Sequence, residues 1–226
     1  MNRMNLLCIS KYFNMDNQKY LQDIQEIRNL MSKSTRFISL SGMSGVLAGT
    51  YALLGGIAGH FILQNATYDR SYSTFERLLN TPFEQNTSLQ ILLVAGAVLG
   101  LSIITAFILT KSKAARLKQR IWNAQSIRLI KNFIIHLALG GLFILTLFQY
   151  ELIGLVAPAM LVFYGLACIQ AAPYTLGTVK YLGVSCAILG LINTQFIGYG
   201  LYFWTAGFGL CHIIYGAVMY FKYDRN

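Results

Sequence analysis

A histidine in the middle of a long apolar run is the residue best placed for chemistry in this chain. His212 lies within the stretch Tyr199–Phe221 and is flanked at helical spacing by Gly209 and Gly216. An ionisable side chain at such a depth is costly unless paired, and residues of this kind mark proton relays and ligand sites. His212 could titrate, carry protons or bind a ligand. Equally, it could stay neutral and hydrogen-bonded to a neighbouring helix. The other histidines, His60 and His136, fall near the ends of their own apolar runs. Three histidines at three depths do not make a metal site. A second polar group gathers where two other apolar runs end: Gln149, Glu151, Asn193 and Gln195, with Thr194 between the last two. They would form either the polar mouth of a cavity or ordinary interfacial caps. The four cysteines, Cys8, Cys168, Cys186 and Cys211, make no CxxC pair. Three of them sit in apolar surroundings, where cysteine behaves as a small hydrophobe. No HExxH, GxSxG, phosphate loop or intramembrane carboxylate pair is present. No catalytic residue, metal or cofactor is therefore assigned, and the chain is expected not to be an enzyme.

These residues need long apolar elements to position them. The chain is 55% hydrophobic and only 12% charged, about half the charged share of an average soluble domain. Phe37–Leu63 runs 27 residues without an Asp, Glu, Lys or Arg, more than the roughly 20 that cross a bilayer. Small residues recur along it: Ser41, Gly45, Gly49, Ala52, Gly56 and Gly59. Such a row is a packing seam against another helix. Comparable runs predict an all-α, polytopic membrane bundle of six transmembrane helices, at about 37–63, 89–110, 132–150, 152–172, 179–195 and 199–221. Pro158 falls inside the fourth and predicts a kink, and Pro173 ends that helix. Between helices 1 and 2, Ser73–Glu76 and Thr81–Glu84 read as capping boxes of short helical pieces.

Charge placement orients the bundle. Of the 18 Lys and Arg, all but Arg70 and Arg77 fall on one side of a six-helix arrangement. The positive-inside rule then puts both termini in the cytoplasm. Residues 1–36 form a cytoplasmic segment, 37–221 the six-helix domain and 222–226 a cytoplasmic tail. Leu21, Ile24, Ile27 and Met31 predict an amphipathic helix in the first segment. The stretch 111–131 carries Lys111, Lys113, Arg116, Lys118, Arg120, Arg128 and Lys131 without an acid. It predicts either a basic amphipathic helix on the anionic cytoplasmic leaflet of the lipid bilayer or a simple topology anchor. The net charge of +10 does not point to nucleic acid, because the basic residues cap apolar runs and only Trp122 offers a stacking ring among them.

Two spacings suggest internal repetition. Ile153-Gly154 followed by Gly165-Leu166 matches Ile197-Gly198 followed by Gly209-Leu210 at a constant offset of 44 residues. Gly42-x-Ser44 followed by Gly49 matches Gly183-x-Ser185 followed by Gly190. Together they raise three repeated helical hairpins, 1–2, 3–4 and 5–6. Such repeats occur in transporters.

The segments TRFISLSGMSG, IGLVAPAMLVFYGLA and FGLCHIIYGAVMYFKY resemble an uncharacterised family of bacterial, Bacteroidota-type polytopic inner-membrane proteins. The resemblance spans about residues 20–224. It implies a bacterial cytoplasmic (inner) membrane and a cytosolic regulatory protein as a conceivable partner. It brings no activity and no functional residues. A second copy of the chain is left open as a further partner. The leading expectation is a non-enzymatic sensing or scaffolding membrane module with a basic cytoplasmic face. The alternative is a small transporter or channel for a neutral or weakly polar solute.

Overall fold

The computed structural model describes residues 24–25, 41–65, 87–118, 121–175 and 177–225. The predicted amphipathic helix around residues 17–32 lies outside the described residues apart from Ile24 and Gln25. The two capping boxes between helices 1 and 2, and Arg120, lie outside them as well. Among the described residues every regular element is helical. They are α1 (Gly42–Gln64), α2 (Thr87–Arg116), α3 (Ala124–Gln149), α4 (Ile153–Tyr174), α5 (Thr178–Asn193) and α6 (Gly200–Asp224). Five are long and apolar enough to cross a membrane, as befits a multi-pass helical membrane protein; α5, at 16 residues, is shorter but equally apolar.

Contacts order the bundle as α2, α1, α6, the pair α4 and α5, and finally α3. α2 packs on α1 and α3 on α4, so both leave most of their surface outward. Leu99, Ile103, Phe107, Ile135, Leu139 and Leu145 are among the side chains they expose, as lipid contact requires. The tightest packing lies on two seams. α1 runs antiparallel to α6: Gly42 and Gly45 face Gly216, Gly49 faces Gly209 and Ile213, Gly56 faces Thr205, and Gly59 faces Leu201. A methyl group at Gly42 or Gly216 would collide with backbone atoms of the other helix. α5 runs antiparallel to α4, with Gly183 against Gly165 and Gly190 against Pro158 and Leu161. Lipid is as apolar as Leu, so close backbone approach and dispersion hold such helices together.

The predicted basic surface helix over 111–131 is not one element. Lys111–Arg116 continue α2, because Lys, Ala and Arg all favour helix and cations suit a helix C-terminus. The chain leaves α2 at Lys118 through a left-handed φ of 51°. It re-enters helix at Ala124 and not at Asn132. The Asn123 side chain accepts from the Ser126 N–H at 2.8 Å, and the Asn123 N–H donates to Ser126 Oγ at 3.0 Å. This capping box places Arg128 and Lys131 in the first turns of α3.

Pro158 does not fall in the middle of the α-helical part of α4. The helix opens with a 3₁₀ turn, Ile153–Leu155, and continues as α-helix over Val156–Ala171. Pro158 thus sits in the first α turn, where a missing N–H is tolerated. α6 carries two unforeseen π-helical segments, Ala206–Leu210 and Tyr220–Asp224. The spacings behind the proposed repeat do not pair alike in the two seams. If α1 and α6 packed as α5 and α4 do, Gly42 would face Gly209; it faces Gly216, about two turns further on. The same helix faces meet, in a slipped register.

A buried histidine–tyrosine pair at a π turn

The first π turn of α6 builds the polar centre of the bundle. Its sequence, AGFGL, has two glycines that are buried, and the Cys211 N–H reaches back to the Ala206 carbonyl. π turns of this kind are frequent at functional sites. The widened turn leaves the Gly207 carbonyl available to side chains. His212 Nδ1 lies 3.0 Å from it, and the Cys186 thiol of α5 reaches it at 3.7 Å. Across the seam to α4, Tyr164 Oη lies 2.7 Å from His212 Nε2.

The partners fix the tautomer. A carbonyl oxygen can only accept, so Nδ1 carries the proton. In the neutral ring Nε2 is then an acceptor, and the Tyr164 hydroxyl donates to it. His212 is 7% exposed, so both of its ring nitrogens are satisfied inside the bundle. A shell of rings surrounds the pair: Tyr164 lies 5.0 Å from Phe208 and 5.8 Å from Phe133, and Phe208 stacks on His212 at 5.9 Å between centroids. The core cluster that holds Tyr164 of this pair contains the further titratable groups Cys168 from α4, Cys186 from α5, and Cys211 and Tyr215 from α6. α1 brings Gly45 against Tyr215, and α3 brings Phe133. The groups that act on His212 and Tyr164 directly are a carbonyl, hydroxyls and thiols, none of them a formal charge. No group of three or more His, Cys, Asp or Glu among them is arranged to hold a metal ion.

The second π turn builds a different site at the end of α6. Asp224 accepts from the Gly42 N–H at 2.8 Å and from Ser41 Oγ at 3.3 Å. It also pairs with Lys113 Nζ of α2 at 2.5 Å. Ser41 leaves the start of α1 uncapped, so a carboxylate from the far end of the chain supplies both cap and counter-charge. One side chain thereby joins the ends of α1, α2 and α6. Lys113 and Asp224 side chains are only 15% and 10% exposed.

The remaining sequence candidates fall as follows. Ser41, Gly45, Gly49, Ala52, Gly56 and Gly59 are all buried on one face of α1. Lys111, Arg116, Lys118, Arg128 and Lys131 are exposed, while Lys113 is held by Asp224. Gln149, Glu151 and Gln195 are exposed, with Glu151 at a left-handed φ of 59° in the α3–α4 turn. Asn193 is separated from them: it is 0% exposed, and its amide pairs with no described residue. The four do not form one mouth, because the last turn of α5 is pressed into the bundle beside α4. His60 lies near Gln64 and Tyr202, and His136 faces its own helix at Asn132. Sequence reasoning missed Tyr164 and Asp224. A tyrosine far from either interface was the available signal for the first. Asp224 carried no such signal, because its neighbours read as a short polar tail.

No protein-family model, curated protein or solved structure matches the chain. The function must therefore be argued from the geometry.

Proposed function

We propose that this chain is a non-enzymatic sensing module of a bacterial cytoplasmic membrane, whose switch element is the His212–Tyr164 pair and whose output is the basic end of the bundle. In this reading six helices cross the membrane, α5 being the short one, with both termini and Lys111, Lys113, Arg116, Lys118, Arg128 and Lys131 in the cytoplasm. The observation that supports it most is that α6 carries both the buried histidine and Asp224. Gaining a proton or ligand at His212 reverses the donor and acceptor roles in its pair with Tyr164. A resulting shift of α6 would act on the Asp224 contacts to α1 and α2. Those contacts sit beside exposed basic side chains that could hold anionic lipid or a cytosolic regulatory protein.

Quantitative co-purification from membranes tests this. Wild type should retain a cytosolic partner that Asp224→Asn and Lys111→Gln/Arg116→Gln variants lose, with His212→Phe changing the amount retained. Retention of no partner by wild type would count against the output side. A second reading, a small transporter or channel for a neutral or weakly polar solute, draws on the buried, unpartnered amide of Asn193. Solute flux into vesicles holding the purified chain, abolished by Asn193→Leu, would favour it over sensing.

A further inference from the structure

We infer that a hydrated polar route enters the bundle at the Asp224 end and reaches His212, so that water and protons exchange with this histidine from that end. The Tyr215 hydroxyl and Thr178 Oγ1 are buried, and no described residue pairs with either. Buried hydroxyls need partners, the more so inside a bundle surrounded by hydrocarbon. Where the surroundings are polar, water is the ordinary partner.

Both hydroxyls lie between Asp224 and His212. Tyr215 is one turn from His212 on the Asp224 side of α6. Cys186 of α5 meets Gly207 of α6, and the two helices are antiparallel. Going back along α5 to Thr178 and on along α6 to Tyr215 covers equal lengths, so the two hydroxyls come level. Tyr215 is within electrostatic reach of both Cys168 and Asp224, and Cys168 neighbours the Tyr164 hydroxyl. Tyr164 in turn reaches His212. Hydroxyl and thiol groups therefore line the part of the about 18 Å of α6 between Asp224 and His212 that lies nearest the histidine. Between Gly207 and the buried Asn193 amide the packing is apolar. Leu161 presses on Gly207, and Leu189 and Phe203 belong to the same cluster, so the route stops at the histidine.

Along this route a proton delivered by water to Nε2 makes the imidazolium. The Tyr164 hydroxyl then accepts where it had donated, and only O–H and N–H bonds change. The route would serve a sensor and a transporter alike, so its test is independent of the proposed function. Protein labelled with ¹⁵N-histidine is reconstituted into vesicles, and water-edited solid-state NMR measures magnetisation passing from water to the His212 imidazole, assigned by its loss in His212→Phe. The expected result is ready transfer in wild type, slowed in Tyr215→Phe/Thr178→Val and unchanged in Asn193→Leu. Tyr→Phe and Thr→Val keep side-chain shape, and an unchanged thermal midpoint confirms that the variant folds. Transfer in wild type no faster than to a lipid-facing apolar side chain, an equal rate in the double variant, or slowing in Asn193→Leu would overturn the route.

Discussion

Ala206–Leu210 and Tyr220–Asp224 are the same backbone feature in opposite surroundings. Each π turn displaces α6 from α geometry and aims a polar group at a neighbour. The first serves an interior without formal charge, where a carbonyl, an imidazole, a hydroxyl and a thiol satisfy one another across α4, α5 and α6. The second serves an end of the bundle, where one carboxylate collects a lysine and a helix N-terminus from α2 and α1. At the Asp224 site a full charge remains near water and can be matched at modest cost. At the His212 site a charge would be far more expensive. A neutral pair that can gain a proton suits a switch, and an ion pair across three helix ends suits a latch.

Gly216→Leu should separate the two regions most sharply. It would force α6 off α1 and pull Asp224 from Gly42, while His212 keeps Tyr164 on α4. A loss on the order of 3 kcal/mol or more is expected from overpacking against backbone, read by denaturant titration in detergent. A normally stable variant would contradict the seam. Asp224→Asn should cost less, about 2–4 kcal/mol, because it removes the carboxylate charge that Lys113 and the start of α1 share. Adding Lys113→Met should restore much of that loss. If the double variant were as weak as the single, the ion pair would not be the latch. His212→Phe keeps a ring in place but leaves the Gly207 carbonyl only the Cys186 thiol and removes the acceptor of the Tyr164 hydroxyl. About 1–3 kcal/mol is expected, with the Asp224 junction intact by crosslinking between α1 and α6. Tyr164→Phe removes one hydrogen bond and should cost about 1 kcal/mol. A larger loss there than in His212→Phe would make tyrosine, not histidine, the anchor of the pair.

Much of the framework was legible in the sequence because it is written locally. The small residues of α1 repeat at helical spacing, and each faces the interior. His212 stood out because an ionisable group in an apolar run needs an explanation. The missed features lack a local mark. The continuation of α2 through Lys111–Arg116 was hidden by reading 111–131 as one separate surface segment, although those residues favour helix. The start of α3 depends on an Asn–Ser cap without the usual Glu or Gln. The stretch AGFGL is as compatible with α as with π geometry, so only packing with Leu161 and Leu53 selects it. Asp224 meets Ser41 and Gly42 across nearly the whole chain, and no spacing rule encodes that contact. Tyr164 resembled any aromatic residue of an apolar helix until His212 was placed beside it.

The claim at the centre is that α6 links the histidine to the latch. Spin labels introduced as Met43→Cys and Phe221→Cys, both at exposed positions, report the α1–α6 distance at the Asp224 end. The expected result on moving from neutral to acid pH is a shift of about 2 Å, the scale of helix movements in switching proteins, in wild type but not in His212→Phe. An unchanged distance in wild type, or the same shift in both proteins, would contradict the link.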